Sequence, residues 1–340
     1  MTQDKDLRFN PKNERMKYKY RIHLKRIGRK DDKTMVEELK HLRGYEAYTG
    51  FQDFAAFNEE VADKYINYLL RDGFSLSYIN DNLRVLRAFL NWLRNQRGYK
   101  SKISYNHIEY LGLTNNQRKT AKAPEYKKAY KYHQILTVIR NMPERTLVER
   151  RNKAILSLQA LCGMRVSELR TIKIKNIIEE DGFYFVYANP KDMQIKYAKL
   201  RQANFLPLPD DIQKNVLTWR DYIIGQGFKD NAPLFPQIPA TFNQHNLLET
   251  HLTMNEIKSD TTFREIFKRA FEAAGIAYIN PHSFRHTLAR FAEKQSPEFL
   301  NAVRQSLGHS SINTTLDSYG RLSNQEQTRR FNEMKFNFSN

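Results

Sequence analysis

The chain of 340 residues has a single cysteine, Cys162, so it can close no internal disulfide. A thiolate metal site, which needs more than one sulfur, is excluded with it. Nowhere do ~18 apolar residues run together, the length that crosses a bilayer. The opening MTQDKDLRFNPKNERMK lacks the apolar core of a secretory signal. None of the 13 glycines falls in the G-x-x-x-x-G-K pattern of a phosphate-binding loop. Acids are scarce, 37 against 56 Lys and Arg, and the net charge is +19. A surplus of that size points to a polyanionic partner, nucleic acid first and an anionic membrane surface second. Apolar and aromatic residues are plentiful, with 21 Phe and 19 Tyr, which excludes a disordered basic tail. The length suits two domains, and a reducing, cytoplasmic setting fits the cysteine usage.

The positive charge is concentrated. Residues 1–30 hold eleven Lys and Arg against three acids, a net of +8, and show no periodicity, so residues 1–32 read as a basic arm. Residues 116–132, with six Lys and Arg against one acid, lack an apolar face and read as an interdomain linker. Tyr126, Tyr130 and Tyr132 interleave with its lysines. Lys119, Lys122, Lys127 and Lys128 are its candidate phosphate contacts.

Between arm and linker, residues 33–115 read as all helix. Asn58 caps a helix over 59–71 carrying Val61, Tyr65, Tyr68 and Leu69. A second opens at Ser75 or Ser77, carries Ile79, Leu83, Leu86, Leu90 and Leu93 on one stripe, and stops at Gly98. Arg84, Arg87 and Arg94 fall on its outer side, as phosphate contacts or as an ordinary charged face. After the linker the pattern is mixed. A helix over 147–161 buries Ala154, Ile155, Leu158 and Leu161, and a strand over 183–187 is followed by a lysine-rich connection and a returning strand at 204–208. A capping box at Thr262 and Glu265 opens a helix that ends by Gly275; Ser296, Pro297 and Gly308 bound another.

Four short segments pair polar residues with tight local geometry. In GMRVSEL (163–169) a helix ends at Gly163 and another begins near Ser167, which holds Arg165 on a turn. In PHSFRH (281–286), with Ser283 as N-cap, His282 and Arg285 share the first turn of a helix, where the dipole favours an anion. His309 lies just past a Gly-ended helix, and Tyr319 closes LGHSSINTTLDSY (307–319). His282 and His286 have the i, i+4 spacing of a zinc pair, but Arg285 between them would repel a cation and no acidic base adjoins them. No metal is expected. Taken in order, these segments resemble the tyrosine recombinase (phage integrase) family, strongly over 133–320 and more weakly over 33–115.

That resemblance implies an all-α core-binding domain (33–115), a mixed α/β catalytic domain, mainly helical with a small antiparallel sheet (133–322), and a C-terminal tail (323–340). The apolar Phe331, Met334, Phe336 and Phe338 of the tail would meet a neighbouring protomer. It implies a DNA recombinase in which Tyr319 attacks the scissile phosphate to give a 3′-phosphotyrosyl link. Arg165, Arg285 and His309 would hold the phosphate oxygens, His282 would serve as base, and Glu168 would support Arg165. A hairpin lysine would be the general acid: Lys191 matches best, with Lys196 and Lys199 as alternatives. No cofactor, ATP or metal is called for. The implied partners are double-stranded recombination sites, three further copies in a synaptic tetramer that passes through a Holliday junction, and an accessory directionality protein. The implied setting is a prokaryotic or phage-encoded protein of the cytoplasm and nucleoid. Two other functions fit parts of the pattern: a type IB topoisomerase, which LGHSSINTTLDSY disfavours, and a helix-turn-helix regulator, which leaves Arg165, His282 and Arg285 unexplained.

Overall fold

The computed structural model describes residues 9–123, 128–242 and 244–308. The chain divides into two compact units, residues 1–123 and 124–340.

The first unit is helical. Its elements are α1 (Pro11–Arg26), α2 (Asp32–Tyr48), α3 (Glu59–Arg71), α4 (Leu76–Leu93), α5 (Tyr105–Glu109) and α6 (Asn115–Lys122). The α4 stripe is the centre of its core: Ile79, Leu83, Leu86, Leu90 and Leu93 are all buried, together with Val85 and Phe89. Ser75, not Ser77, caps it, and the helix ends at Leu93, with turns following before Gly98. Asn58 caps α3 as expected, but Tyr68 is exposed while Ala62 fills the buried face beside Tyr65 and Leu69.

Two readings of the basic segments are corrected. The expected arm contains α1, capped by Asn10, with Asn13, Met16, Lys17, Tyr20 and Leu24 buried in the unit's core. Its inner face is partly polar, which hid the periodicity. Asn13 donates to the Gln52 carbonyl (2.8 Å) and accepts from the Phe54 amide (3.1 Å), and the Lys17 ammonium pairs with the buried Glu46. The first half of the expected linker is α6, opened by a Thr114–Gln117 capping box and packed on α4.

The second unit begins with α7 (Tyr132–Asn141), α8 (Leu147–Cys162) and α9 (Val166–Thr171). An antiparallel sheet follows, in the order β1 (Ile177–Glu180), β2 (Phe183–Ala188), β3 (Arg201–Asn204). Then come α10 (Asp210–Gly225), a small hairpin of β4 (Ala240–Phe242) and β5 (Leu248–Thr250), α11 (Asp260–Ala273), α12 (Ser283–Glu293) and α13 (Pro297–Leu307). The buried α8 packs against α7, α10 and α12. Ala154, Ile155, Leu158 and Leu161 of α8 are fully buried.

The returning strand lies earlier than expected, with Ala188 opposite Arg201 and Phe185 opposite Asn204. It cannot run on to 208 because the Leu206 amide turns to the Leu161 carbonyl (2.9 Å) and Pro207 has no N–H to offer. Helix α11 starts at Asp260 with Ser259 as its cap, ahead of the expected box at Thr262. In α12, His282 takes the N-cap position expected of Ser283. Ser296, Pro297 and the left-handed Gly308 bound α13 as expected.

Tyr130 and Tyr132, read as aromatics interleaved with the lysines of a linker, are anchors of this second unit instead. Tyr130 is buried, stacks on Phe271 at 4.2 Å between centroids, and donates its hydroxyl to the Ile279 carbonyl (3.1 Å). The Tyr132 hydroxyl donates to Ala160 at 3.1 Å.

Candidate active site

The site is built where α8 stops. Gly163 adopts the left-handed conformation (φ 57°, ψ 39°) and ends the helix, its N–H bonded to the Gln159 carbonyl at 2.9 Å. A side chain there would meet Leu288 and Leu307 at 3.1 Å. Two residues on, Arg165 is the N-cap of α9, with a partly exposed guanidinium. Glu168 faces back to it: one carboxylate oxygen accepts from the Arg165 guanidinium (3.0 Å) and the other from the Arg165 amide (2.8 Å).

Glu168 is fully buried. Burial is the largest influence on its carboxyl and pushes it up, but Arg201, Arg285, Arg165 and the Arg165 amide together hold it below the usual carboxylate range. Three guanidiniums therefore surround one buried anion. The nearby Cys162 thiol is inert by the same measure: burial raises it to about 12.

Arg285 comes from α12. Its side chain is completely buried, and it donates to the Gly163 carbonyl and to the Leu307 carbonyl, both at 2.7 Å. Those two bonds tie the C-terminal ends of α8 and α13 to one planar group. His282 sits at the exposed start of α12, its amide bonded to Asn280 Oδ1 at 3.0 Å, and its ring lies edge-on to His286 at 5.0 Å. The structure thus brings Arg165, Glu168 and Arg285 together around the end of α8, with His282 three residues before Arg285. His309 and Tyr319 lie outside the described residues.

The three lysines occupy the connection between β2 and β3. Lys191 is exposed on the turn after β2, its amide bonded to Asn189 Oδ1 at 3.0 Å. Lys196 lies over the Tyr197 ring at 5.0 Å, and Lys199 is exposed. Asp192 fixes the base of this connection through Lys175 (2.8 Å). Among the candidate DNA contacts, Arg84, Arg87 and Arg94 do lie at the surface of the first unit. Each has an internal neighbour: Asp81 at 3.5 Å, Glu109 at 2.9 Å and the Tyr105 ring at 5.4 Å respectively. Lys119 and Lys122 are exposed on α6, Lys128 is exposed, and Lys127 lies outside the described residues.

One functional candidate was not visible in the sequence. Arg201, the first residue of β3, points inward in a strand whose burial alternates, and pairs with Glu168. An inward arginine stands out only once the strand's register is known, and the sequence pattern put the strand three residues later.

Residues 128–326 match the model of the phage integrase family. The chain belongs to that family. Its N-terminal helical unit and its C-terminal mixed unit are those of a tyrosine recombinase. Relatives of this recombinase extend over most of its length. A probable integrase/recombinase of Aquifex aeolicus is 25% identical over 91% of this chain and 95% of its own. The tyrosine recombinase XerD of Oceanobacillus iheyensis is 26% identical over 86% and 90%. Lambda integrase shares the fold at 16% identity. Its dimer bound to a COC′ core site gives a TM-score of 0.62 over 96% of this chain and 99% of that one. Its tetramer bound to a Holliday junction gives 0.59 over 88% and 77%. The topoisomerase and regulator alternatives are not favoured. Among the described residues of the recombinase no helix is long and apolar enough to cross a membrane.

Proposed function

We propose that this recombinase breaks and rejoins DNA strands at specific sites by transesterification through Tyr319. The phenol oxygen attacks the scissile phosphorus, a 3′-phosphotyrosyl bond forms, and the 5′-oxygen leaves with a proton. The reverse attack by a 5′-hydroxyl rejoins the strand and frees the tyrosine. Because the phosphotyrosyl bond keeps the energy of the phosphodiester, the cycle needs no ATP.

The observation behind this reading is the pair of guanidiniums, Arg165 and Arg285, gathered from two separate segments at the end of α8. Charge on the non-bridging oxygens grows toward the transition state, and fixed, charge-assisted N–H donors stabilise it there. A phenol with a reference pKa of ~10 is protonated at neutral pH, so a base helps, and His282 fills that role. His309 is assigned as a further phosphate donor and Lys191 as the acid for the leaving oxygen, with Lys196 and Lys199 as alternatives.

The same proposal takes the first unit, which α1 and α6 extend beyond 33–115, as core-binding domain and the second unit, whose anchors Tyr130 and Tyr132 precede residue 133, as catalytic domain. Four copies would synapse two sites and exchange strands through a Holliday junction, as the lambda integrase tetramer bound to such a junction supports. The tail would dock on a neighbouring protomer. An accessory directionality protein, the cytoplasm and the nucleoid complete the setting. A nicked suicide duplex carrying the recombination site tests the chemistry. Wild type should trap a covalent DNA adduct that Tyr319→Phe does not; an adduct that survives in Tyr319→Phe overturns the assignment.

A further inference from the structure

Arg201 has no part in the chemistry assigned above, yet it touches both ends of it. Its side chain is buried in the second unit. One terminal nitrogen donates to the Glu168 carboxylate oxygen that also takes the Arg165 amide. The other donates to the Ser306 carbonyl (2.5 Å), in the last turn of α13 and three residues before His309. The Asn204 amide of the same strand donates to the Ser306 hydroxyl at 3.1 Å. A Cβ on Gly308 would lie 2.8 Å from Arg201 Cδ, so the chain leading to His309 passes directly over this side chain. Arg285 holds the adjacent carbonyl, Leu307. Two guanidiniums thus grip consecutive carbonyls at the negative end of α13.

Stability alone is a poor reason for this arrangement. Both partners of the Arg201–Glu168 pair are buried, and apolar residues of similar volume are often at least as stable as such a pair. The Arg201 Nε is buried with no hydrogen-bond partner among the described residues. What the pair does provide is orientation. Glu168 has one oxygen on the Arg165 guanidinium and the other on Arg201 and the Arg165 amide. Without Arg201 the buried carboxylate keeps only Arg165 on its second oxygen. It would then take up a proton or rotate, and either change slackens the grip on the Arg165 side chain.

We propose that Arg201 is a positioning residue for strand cleavage. Through Glu168 it fixes the guanidinium of Arg165, and through Ser306 it fixes the helix end that delivers His309. The inference rests on the reading that Arg165 and His309 serve the scissile phosphate.

The test first maps the phosphotyrosyl junction on genomic DNA, then compares rates of covalent adduct formation by the full-length protein on two nicked duplexes of that site. One has an ordinary scissile phosphodiester; the other has a methylphosphonate, whose uncharged centre has less need of a second guanidinium. Arg201→Gln should slow the phosphodiester by about ten-fold or more, as a displaced charge donor does. On the methylphosphonate the loss should be no more than about three-fold, because less charge must be met there. Arg201→Lys, which keeps a cation beside Glu168 but cannot also span to Ser306, should show the same contrast at smaller size. It makes the comparison if Arg201→Gln does not fold. A variant within about two-fold of wild type on the phosphodiester, or one slowed equally on both duplexes, overturns the proposal. Absence of any adduct with wild type on the phosphodiester would instead overturn the strand-cleavage reading beneath it.

Discussion

Substituting Gly163 by alanine tests the packing at the end of α8. The residue is left-handed, which costs an L-residue about 1–2 kcal/mol. Its added methyl would also press on Leu288 Cδ2 and Leu307 Cδ2 at 3.1 Å. Both leucines are buried and belong to one small core cluster, so neither can swing into solvent. Overpacking of that kind adds about 1–3 kcal/mol. The expected total of about 2–5 kcal/mol should lower the unfolding temperature of a unit this size by about 5–15 °C. Gly182, on the turn between β1 and β2, is a matched control: it is also left-handed (φ 79°), but a Cβ there meets nothing within 4 Å. Gly182→Ala should show the backbone cost alone. In a Trp92→Phe background the remaining tryptophan, the buried Trp219, reports the second unit by fluorescence. Equal shifts for Gly163→Ala and Gly182→Ala would refute the claim that Leu288 and Leu307 close on this position.

Glu168→Gln removes a buried anion from among three cations and should cost about 3–5 kcal/mol at neutral pH. Because the folded carboxyl is held below its ordinary value of 4.5, its stabilisation is complete above that range and is lost as pH falls through the depressed value. Urea midpoints should therefore decline less steeply on acidification in the variant; parallel declines would count against the assignment. Tyr130→Phe keeps the stacking on Phe271 but strips the Ile279 peptide of its partner, a loss of about 1–3 kcal/mol that an unchanged urea midpoint would contradict. Changing Lys119, Lys122 and Lys128 together to glutamine should flatten the salt dependence of DNA binding by up to about 0.9 in slope per lost phosphate contact. Cleavage of saturated complexes should stay near wild type. If it falls as far as in Arg165→Ala, these lysines do more than bind.

The residues that were easy to read in the sequence are those whose local chemistry decides their structure. Ser296, Pro297 and Gly308 bound α13 because a side-chain cap, a fixed φ and a left-handed stop act within one turn. The α4 stripe was legible because its buried positions are apolar throughout. Helix α1 was not, since Asn13 and Lys17 occupy its inner face and their buried partners, Gln52, Phe54 and Glu46, lie tens of positions away. Tyr130 gave the same false signal in reverse: between lysines it read as linker, and Phe271, Phe284 and Ile279, brought in by the tertiary fold, bury it. At the site, Arg165 and Glu168 could be read as a pair because they lie three residues apart. Arg201 could not, because its partners Glu168 and Ser306 come from distant parts of the chain.

The placement of Tyr130 also bears on how the protein can be divided for study. A fragment started at residue 133, where the sequence pattern changes, would discard the aromatic lid over Phe271 and leave the Ile279 peptide facing water. Starting at Lys128, which is also where the family match begins, keeps both covered. The two fragments differ by five residues, and the shorter one should aggregate on concentration where the longer stays dispersed.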